Sequence, residues 1–148
     1  MSLVVDVQCF KLENNKFLVK EFAGYDGAKI FHYVFKPPFN RNCLPPNIQK
    51  QVVWLINNHH CIGWNEGHTP AHLFPEILRN MVKDYKNKYV KGLEKARFLE
   101  DLIEKPVIVL EDTPALQMSE AKCFCHKKNP CMCALSNVYF LYEHFFMQ

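Results

Sequence analysis

The sequence predicts an α/β domain built on a mixed sheet, with its elements in the order β β β α α β α β α. Two observations carry this expectation. Three alternating, β-branched segments come first, joined by short turns, as in an antiparallel meander. Segments of strand character then alternate with segments of helical period up to the carboxyl end.

Each element has its own signal. LVVDVQCF (3–10) alternates and is rich in Val, so it reads as a strand. LENN with Lys16 is a turn. KFLVKEFAGYD (16–26) is a second strand and AKIFHYVFK (28–36) a third, with Gly24 and Gly27 bracketing the bend between them. PPFNRNCLPP (37–46) is a loop by its prolines. NIQKQVVWLINN (47–58) sets Ile48, Val52, Val53 and Ile56 at helical spacing. HHCIGWNEGH (59–68) is irregular. Thr69 is expected to cap a helix with Pro70 at its first position, running through AHLFPEILRNMVKDY, with Pro75 delaying or kinking its start. NKYVK (87–91) is a short strand. GLEKARFLEDLIE (92–104) is an amphipathic helix whose inner face takes Leu93, Ala96, Phe98, Leu99 and Leu102. The unbroken apolar run of PVIVLED (106–112) predicts a buried parallel strand. CALSNVYFLYEHFF (133–146) is the final helix. Residues 1–148 read as one domain without repeat or linker. This element order is that of the ribonuclease H-like fold, which many nucleases use, although a fold alone does not give a function.

Composition excludes some classes. With 49% hydrophobic and 22% charged residues, the chain is globular rather than disordered. A net charge of +3 permits nucleic-acid binding without demanding it. MSLVVDVQCF lacks the basic start of a secretory signal, and Asp6 interrupts its apolar run. No apolar run approaches the roughly 20 residues of a membrane span. There is no glycine-rich phosphate loop and no GxSxG, so no small-molecule cofactor is expected. The expected setting is the reducing cytosol or nucleus. There, seven cysteines, an odd number, read poorly as a disulfide framework.

The most biased stretch is AKCFCHKKNPCMCALSN, with four cysteines and a histidine between Cys123 and Cys133. Zinc takes four such ligands tetrahedrally. Cys123 and His126 form a CxxH pair, and KKNP can turn the chain back to place Cys133 beside it. Three ligands are then local and a fourth comes from elsewhere. An all-local set that uses Cys125 or Cys131 is an alternative, and so are four free thiols.

The chain resembles the Maelstrom domain, the zinc-bearing, ribonuclease H-like domain of the Maelstrom proteins of the germline piRNA pathway. In that family a Glu on the second strand joins a Cys-x-x-His pair and a later Cys followed by Ala-Leu. Here KFLVKEFAGYDG supplies Glu21, KCFCH supplies Cys123 and His126, and CAL supplies Cys133. YVKGLEKARFLEDL and NNHHCIGWNEGHTP are similar to further family segments, so the likeness spans about residues 3–146. Cys125 and Cys131 are additional to the pattern. The high-mobility-group box that precedes the domain in many Maelstrom proteins has no counterpart, so the resemblance implies a stand-alone relative. It further implies one structural Zn²⁺ on Glu21, Cys123, His126 and Cys133, and single-stranded RNA or small-RNA silencing proteins as partners. The setting it implies is cytoplasmic, in a perinuclear granule, or nuclear.

The fold also resembles that of DEDD-type 3′–5′ exonucleases, whose carboxylates hold two metal ions about 3.5–4 Å apart. Here Asp6 stands at the first position, but Gln8 replaces the Glu, Lys95 falls near the helical Asp, Met132 replaces the His and Asn137 the final Asp. One carboxylate of four should not retain two divalent ions. Asp6 could keep a residual role or be a strand residue paired with a neighbour.

Other candidates are weaker. His59 and His60 lie beside Cys61, and His68 and His72 have the i, i+4 spacing of helical zinc pairs without an HExxH; loop histidines more often face solvent. For RNA, Lys86, Lys88, Lys91, Lys95 and Arg97 cluster around the fourth expected strand and its helix, and Lys127 and Lys128 sit in the Cys loop. Tyr85 and Tyr89 interleave as stacking surfaces, although such runs are more often a solvated face. The expected function is therefore RNA or silencing-partner binding without two-metal catalysis. Metal-independent cleavage of single-stranded RNA is the first alternative, and a protein scaffold without RNA contact the second.

Overall fold

The computed structural model describes residues 1–111 and 113–147. Its strands are β1 (Ser2–Lys11), β2 (Phe17–Tyr25), β3 (Ile30–Lys36), β4 (Thr69–Pro70), β5 (Asn87–Val90) and β6 (Ile108–Val109). Its helices are α1 (Pro46–Asn58), α2 (Phe74–Val82), α3 (Leu93–Ile103) and α4 (Ala134–Phe146). The six strands form one mixed sheet in the order β4-β3-β2-β1-β5-β6. β1, β2 and β3 pair antiparallel, whereas β5 joins β1, β6 joins β5 and β4 joins β3 in parallel.

Helices cover both faces of the sheet, and so the strand residues are buried on both sides. Leu3, Val5, Val7, Val19 and Phe22 pack with Leu78 and Met81 of α2 and Ala96, Leu99 and Ile103 of α3. On the other face Val4, Ala23 and Leu110 pack with Ala134, Val138 and Leu141 of α4. Phe10 meets Ile48, Val52 and Ile56 of α1 and Trp64 there.

One irregularity decides which residues face α4. Gln8 pairs with Glu21, but Cys9 pairs with Val19, so Lys20 is an extra residue on β2. Such a bulge shifts the alternation by one residue. Val19 and Phe22 consequently share the α2/α3 core, and Glu21 turns with Ala23 toward α4. Without the bulge Glu21 would point where Val19 points.

Several expectations need correction. Thr69 caps no helix: Thr69 and Pro70 extend the sheet beside Phe35 and Lys36, residues 71–73 make a 3₁₀ turn, and α2 starts at Phe74. Pro75 rather than Pro70 sits in its first turn, where a missing N–H costs nothing. The strand expected over 106–112 is only two residues long, because it is the sheet edge; Ile108 is exposed while Val107 and Leu110 are buried. Asp112, at the end of that run, lies outside the described residues. Leu93, expected on the inner face of α3, is exposed, whereas Ile103 at the other end of the helix is buried; Val53, one of the apolar residues at helical spacing in α1, is exposed as well. No described helix is long and apolar enough to cross a membrane.

Candidate metal centre

Three pieces of chain converge under the amino end of α4. The bulge delivers Glu21 from β2, the 123–126 loop delivers Cys123 and His126, and Cys133 is the N-cap of α4. Cys133 Sγ accepts from Ser136 N–H at 3.5 Å, and Ala134 N–H donates to Glu21 Oε1 at 2.8 Å. Amides at a helix amino terminus favour negative charge, so this end is suited to a thiolate and a carboxylate.

One ligand atom from each of Glu21, Cys123, His126 and Cys133 lies within 4.8 Å of the others, and the group could hold a metal ion. The shorter edges fit a tetrahedron. Zinc bonds of about 2.3 Å to sulfur and about 2.0–2.1 Å to oxygen or nitrogen imply edges of about 3.8 Å for S···S, about 3.5 Å for S···O and about 3.4 Å for N···O. The corresponding separations are 3.9 Å for Cys123 Sγ–Cys133 Sγ, 3.5 and 3.8 Å from those sulfurs to Glu21 Oε2, and 3.4 Å for His126 Nε2–Glu21 Oε2. The sulfurs are also far beyond the roughly 2.05 Å of a disulfide, and all seven cysteines are free.

The donor chemistry makes the same point. His126 Nδ1 is bonded to the carbonyl of His60, so Nδ1 carries the proton and Nε2 presents its lone pair to the cluster. Nε2 is buried and has no hydrogen-bond partner; its 3.4 Å contact with Glu21 sets an acceptor against an acceptor. A cation among these atoms resolves that conflict, and in its place a proton would have to. Burial alone would lower His126, but the Cys133 thiolate and the Glu21 carboxylate outweigh it and raise it to about 10. Bonding from Cys123 pulls Cys133 down to about 4 against its burial, with help from His126. Burial would raise Glu21, yet His126, His32 and the Ala134 amide hold it down at about 2. His32 reaches Glu21 Oε2 at 2.8 Å, which orients the carboxylate from β3.

Cys125 and Cys131 are not members of this set, although Cys125 bonds to Cys123. Cys131 is buried beside Cys61, faces Asn129 Oδ1 at 3.7 Å, and is pushed up to about 12 by burial, so it stays a neutral thiol. Burial also raises half-exposed Cys125. Among the described residues no second group of this kind occurs. His68 precedes β4 and His72 lies in the 3₁₀ turn, so the two do not share a helix as their spacing suggested.

Asp6, Gln8, Lys95 and Asn137, which the sequence comparison set against the carboxylates of a two-metal site, also meet. Asp6 is fully buried on the α4 face of β1. Its Oδ1 accepts from Lys95 Nζ at 2.6 Å, and its Oδ2 from Asn137 Nδ2 at 2.8 Å and Gln8 Nε2 at 3.1 Å. One carboxylate is thus bonded by an ammonium and two amides. Met132 is buried and lines a cleft of about 380 Å³ with Gln8, His59, Lys95 and Phe98.

The expected basic face divides. Lys88 is buried on β5, Lys91 Nζ is held by the Thr113 carbonyl at 2.8 Å, and Lys95 is committed to Asp6. Arg97 is exposed on α3, and Lys86 is exposed before β5. Lys127 and Lys128 are exposed on the separate Cys loop. Tyr85 is buried and donates to Asp26 at 2.6 Å, and Tyr89 packs on Phe145 and Phe146, so neither ring is a free stacking surface.

Lys20 escaped the sequence reasoning, and His60, expected there as a solvent-facing loop histidine, is buried. Lys20, the bulged residue, is fully buried and donates to the carbonyls of Phe35 at 2.9 Å, Trp64 at 2.8 Å and Glu66. It pins the 64–66 loop to the sheet. Gly67 completes that contact, since at φ +135° a Cβ there would lie 2.7 Å from the Phe35 backbone. His60, fully buried against Phe10, receives the Ile62 N–H on Nδ1 and hands its own carbonyl to His126. The chain matches no protein-family model and no curated protein with which it was compared.

Proposed function

We propose that this chain is a zinc-stabilised domain of ribonuclease H-like fold, similar to the Maelstrom domain, that binds single-stranded RNA or a protein of the small-RNA silencing machinery without two-metal catalysis. The observation that carries this reading is the convergence of Glu21, Cys123, His126 and Cys133, the set that the Maelstrom resemblance implies. Two thiolates, one imidazole and one carboxylate favour Zn²⁺ over the hard cations Mg²⁺ and Ca²⁺. Four protein ligands leave no open position, so the ion would serve structure, tying β2 to the loop before α4. A meander that passes into parallel strands beside β1 supports the ribonuclease H-like assignment. The saturated Asp6 supports the loss of two-metal chemistry. A role in the piRNA pathway and transposon silencing, in the cytoplasm, a perinuclear granule or the nucleus, rests on the resemblance.

The test combines metal analysis of the purified protein with binding of a labelled, unstructured RNA across salt concentrations. One zinc per chain and salt-dependent binding are expected, with no Mn²⁺-stimulated shortening of the strand. A zinc-loaded protein that ignores RNA would favour the scaffold. Mn²⁺-dependent shortening that Asp6→Ala abolishes would restore the two-metal site.

Metal-independent cleavage has one observation in its favour. His59 and Lys95 line the same 380 Å³ cleft, and burial, then Lys95, push His59 below its ordinary value, leaving a neutral base at neutral pH. RNA product formed in chelator and lost in His59→Ala would select that reading.

A further inference from the structure

A larger cleft, of about 560 Å³, lies on the other side of the metal loop, between the 41–43 turn, α1 and the 63–66 loop. Its walls carry the three kinds of group that hold one unit of a nucleic-acid single strand. The cations are Arg41 and Lys127, against one carboxylate, Glu66. Amides that both donate and accept come from Asn57 and Asn65. Aromatic surface comes from Trp64 in the wall, which packs against half-open Phe39, the residue before the lining Asn40, with ring centroids 5.8 Å apart, and donates its indole N–H to the Phe39 carbonyl at 3.0 Å. Aromatic surface beside a basic groove is the arrangement that takes single strands with little sequence preference.

The cleft is built rather than incidental. Lys127 follows His126 directly, and its N–H donates to the Cys61 carbonyl at 2.6 Å, next to the His126–His60 bond. The metal loop and the 59–63 segment are therefore stitched together, with the candidate ligands on one side and Lys127 on the other. Gly63 makes room for that lysine: a Cβ at Gly63 would lie 2.9 Å from Lys127 Cε and 3.2 Å from Nζ. Lys20 fixes the 63–66 wall by the carbonyls of Trp64 and Glu66.

We infer that this cleft seats one nucleotide of single-stranded RNA, its phosphate on Arg41 and Lys127 and its base toward Phe39 and the Asn57 and Asn65 amides. The inference rests on the RNA-binding reading and moves the contact away from the β5–α3 face.

The test is fluorescence anisotropy with a labelled, unstructured RNA at several salt concentrations, with zinc content measured on every variant. Arg41→Ala and Lys127→Ala should each weaken binding on the order of threefold to tenfold and lower the salt slope by about 0.7, the share of one phosphate on a single strand. Lys91→Ala and Arg97→Ala should bind as wild type. If Arg41→Ala and Lys127→Ala bind as wild type, the cleft is not the site. Should Lys127→Ala lose zinc, Arg41→Ala, far from the ligands in sequence, decides alone. A zinc-loaded wild type that binds no RNA would overturn both this inference and the reading beneath it.

Discussion

Lys95→Ala tests the electrostatic logic of the buried Asp6 group. Asp6 is fully buried, and its only cationic partner among the described residues is Lys95, at 2.6 Å. Removing one member of a buried pair costs about 3–5 kcal/mol, because the other charge is stranded. Here the lysine side chain is 31% exposed, so water can reach the gap, and Asn137 and Gln8 still donate to Asp6. The expected loss is therefore smaller, about 2–3 kcal/mol. At a urea slope of about 2 kcal/mol per molar, the unfolding midpoint should fall by about 1–1.5 M. Adding Asp6→Asn should recover part of that loss, since a neutral amide needs no counter-charge. The double-mutant cycle should show a coupling of at least about 1 kcal/mol. A midpoint unchanged in Lys95→Ala, with additive effects in the double variant, would mean that Lys95 is an ordinary solvated lysine.

Two further outcomes follow from buried groups. Lys20→Met should destabilise by about 2–4 kcal/mol in the same urea assay, because it leaves the Phe35, Trp64 and Glu66 carbonyls without their donor; a neutral effect would mean that the lysine is dispensable to the 64–66 loop. Burial pushes His60 from 6.5 down to about 3, so between those values the unfolded chain binds a proton that the folded chain refuses. The His60 contribution should be full above pH 6.5 and be lost with acid, by about 2 kcal/mol between pH 6.5 and 5. Glu21, held at about 2 against an ordinary 4.5, adds its own loss only at lower pH. His60→Asn keeps an acceptor for the Ile62 N–H and should flatten the upper window, and equal pH slopes in the two proteins would refute the assignment.

The three amino-terminal strands were legible to within a residue or two, because turn residues bound each of them clearly. Alternation failed inside β2. Helices cover both faces of the sheet, so Val19, Lys20, Glu21 and Phe22 are all buried, and the sequence carries no mark of the bulge that reverses Glu21. Lysines mislead for a related reason. Lys88 and Lys20 look like surface residues one at a time, yet each lies in a strand with cover on both sides. Thr69–Pro70 is too short to register as a strand, since its pairing comes from a neighbour distant in sequence, whereas the apolar run around Ile108–Val109 registered as a longer strand than its edge pairing supports. The candidate ligands were readable only through spacing and resemblance. Nothing in the sequence pointed to His32 behind Glu21 or to the His60 carbonyl behind His126, because both bonds depend on tertiary placement.

The central claim is that Glu21, Cys123, His126 and Cys133 hold one zinc ion. Structural zinc in small peptides contributes on the order of 10–16 kcal/mol of apparent binding energy, and less is expected in a domain with its own core. The most direct measurement is zinc per chain, by mass spectrometry, in the wild type and in single variants of the cluster. The account predicts one zinc in the wild type and in Cys125→Ser and Cys131→Ser. It predicts loss of metal, with loss of solubility, in Cys123→Ser, His126→Ala and Cys133→Ser, and loss of metal in Glu21→Ala. Zinc that survives Glu21→Ala but disappears in Cys125→Ser and Cys131→Ser would contradict it, and would place the ion on the cysteine loop alone.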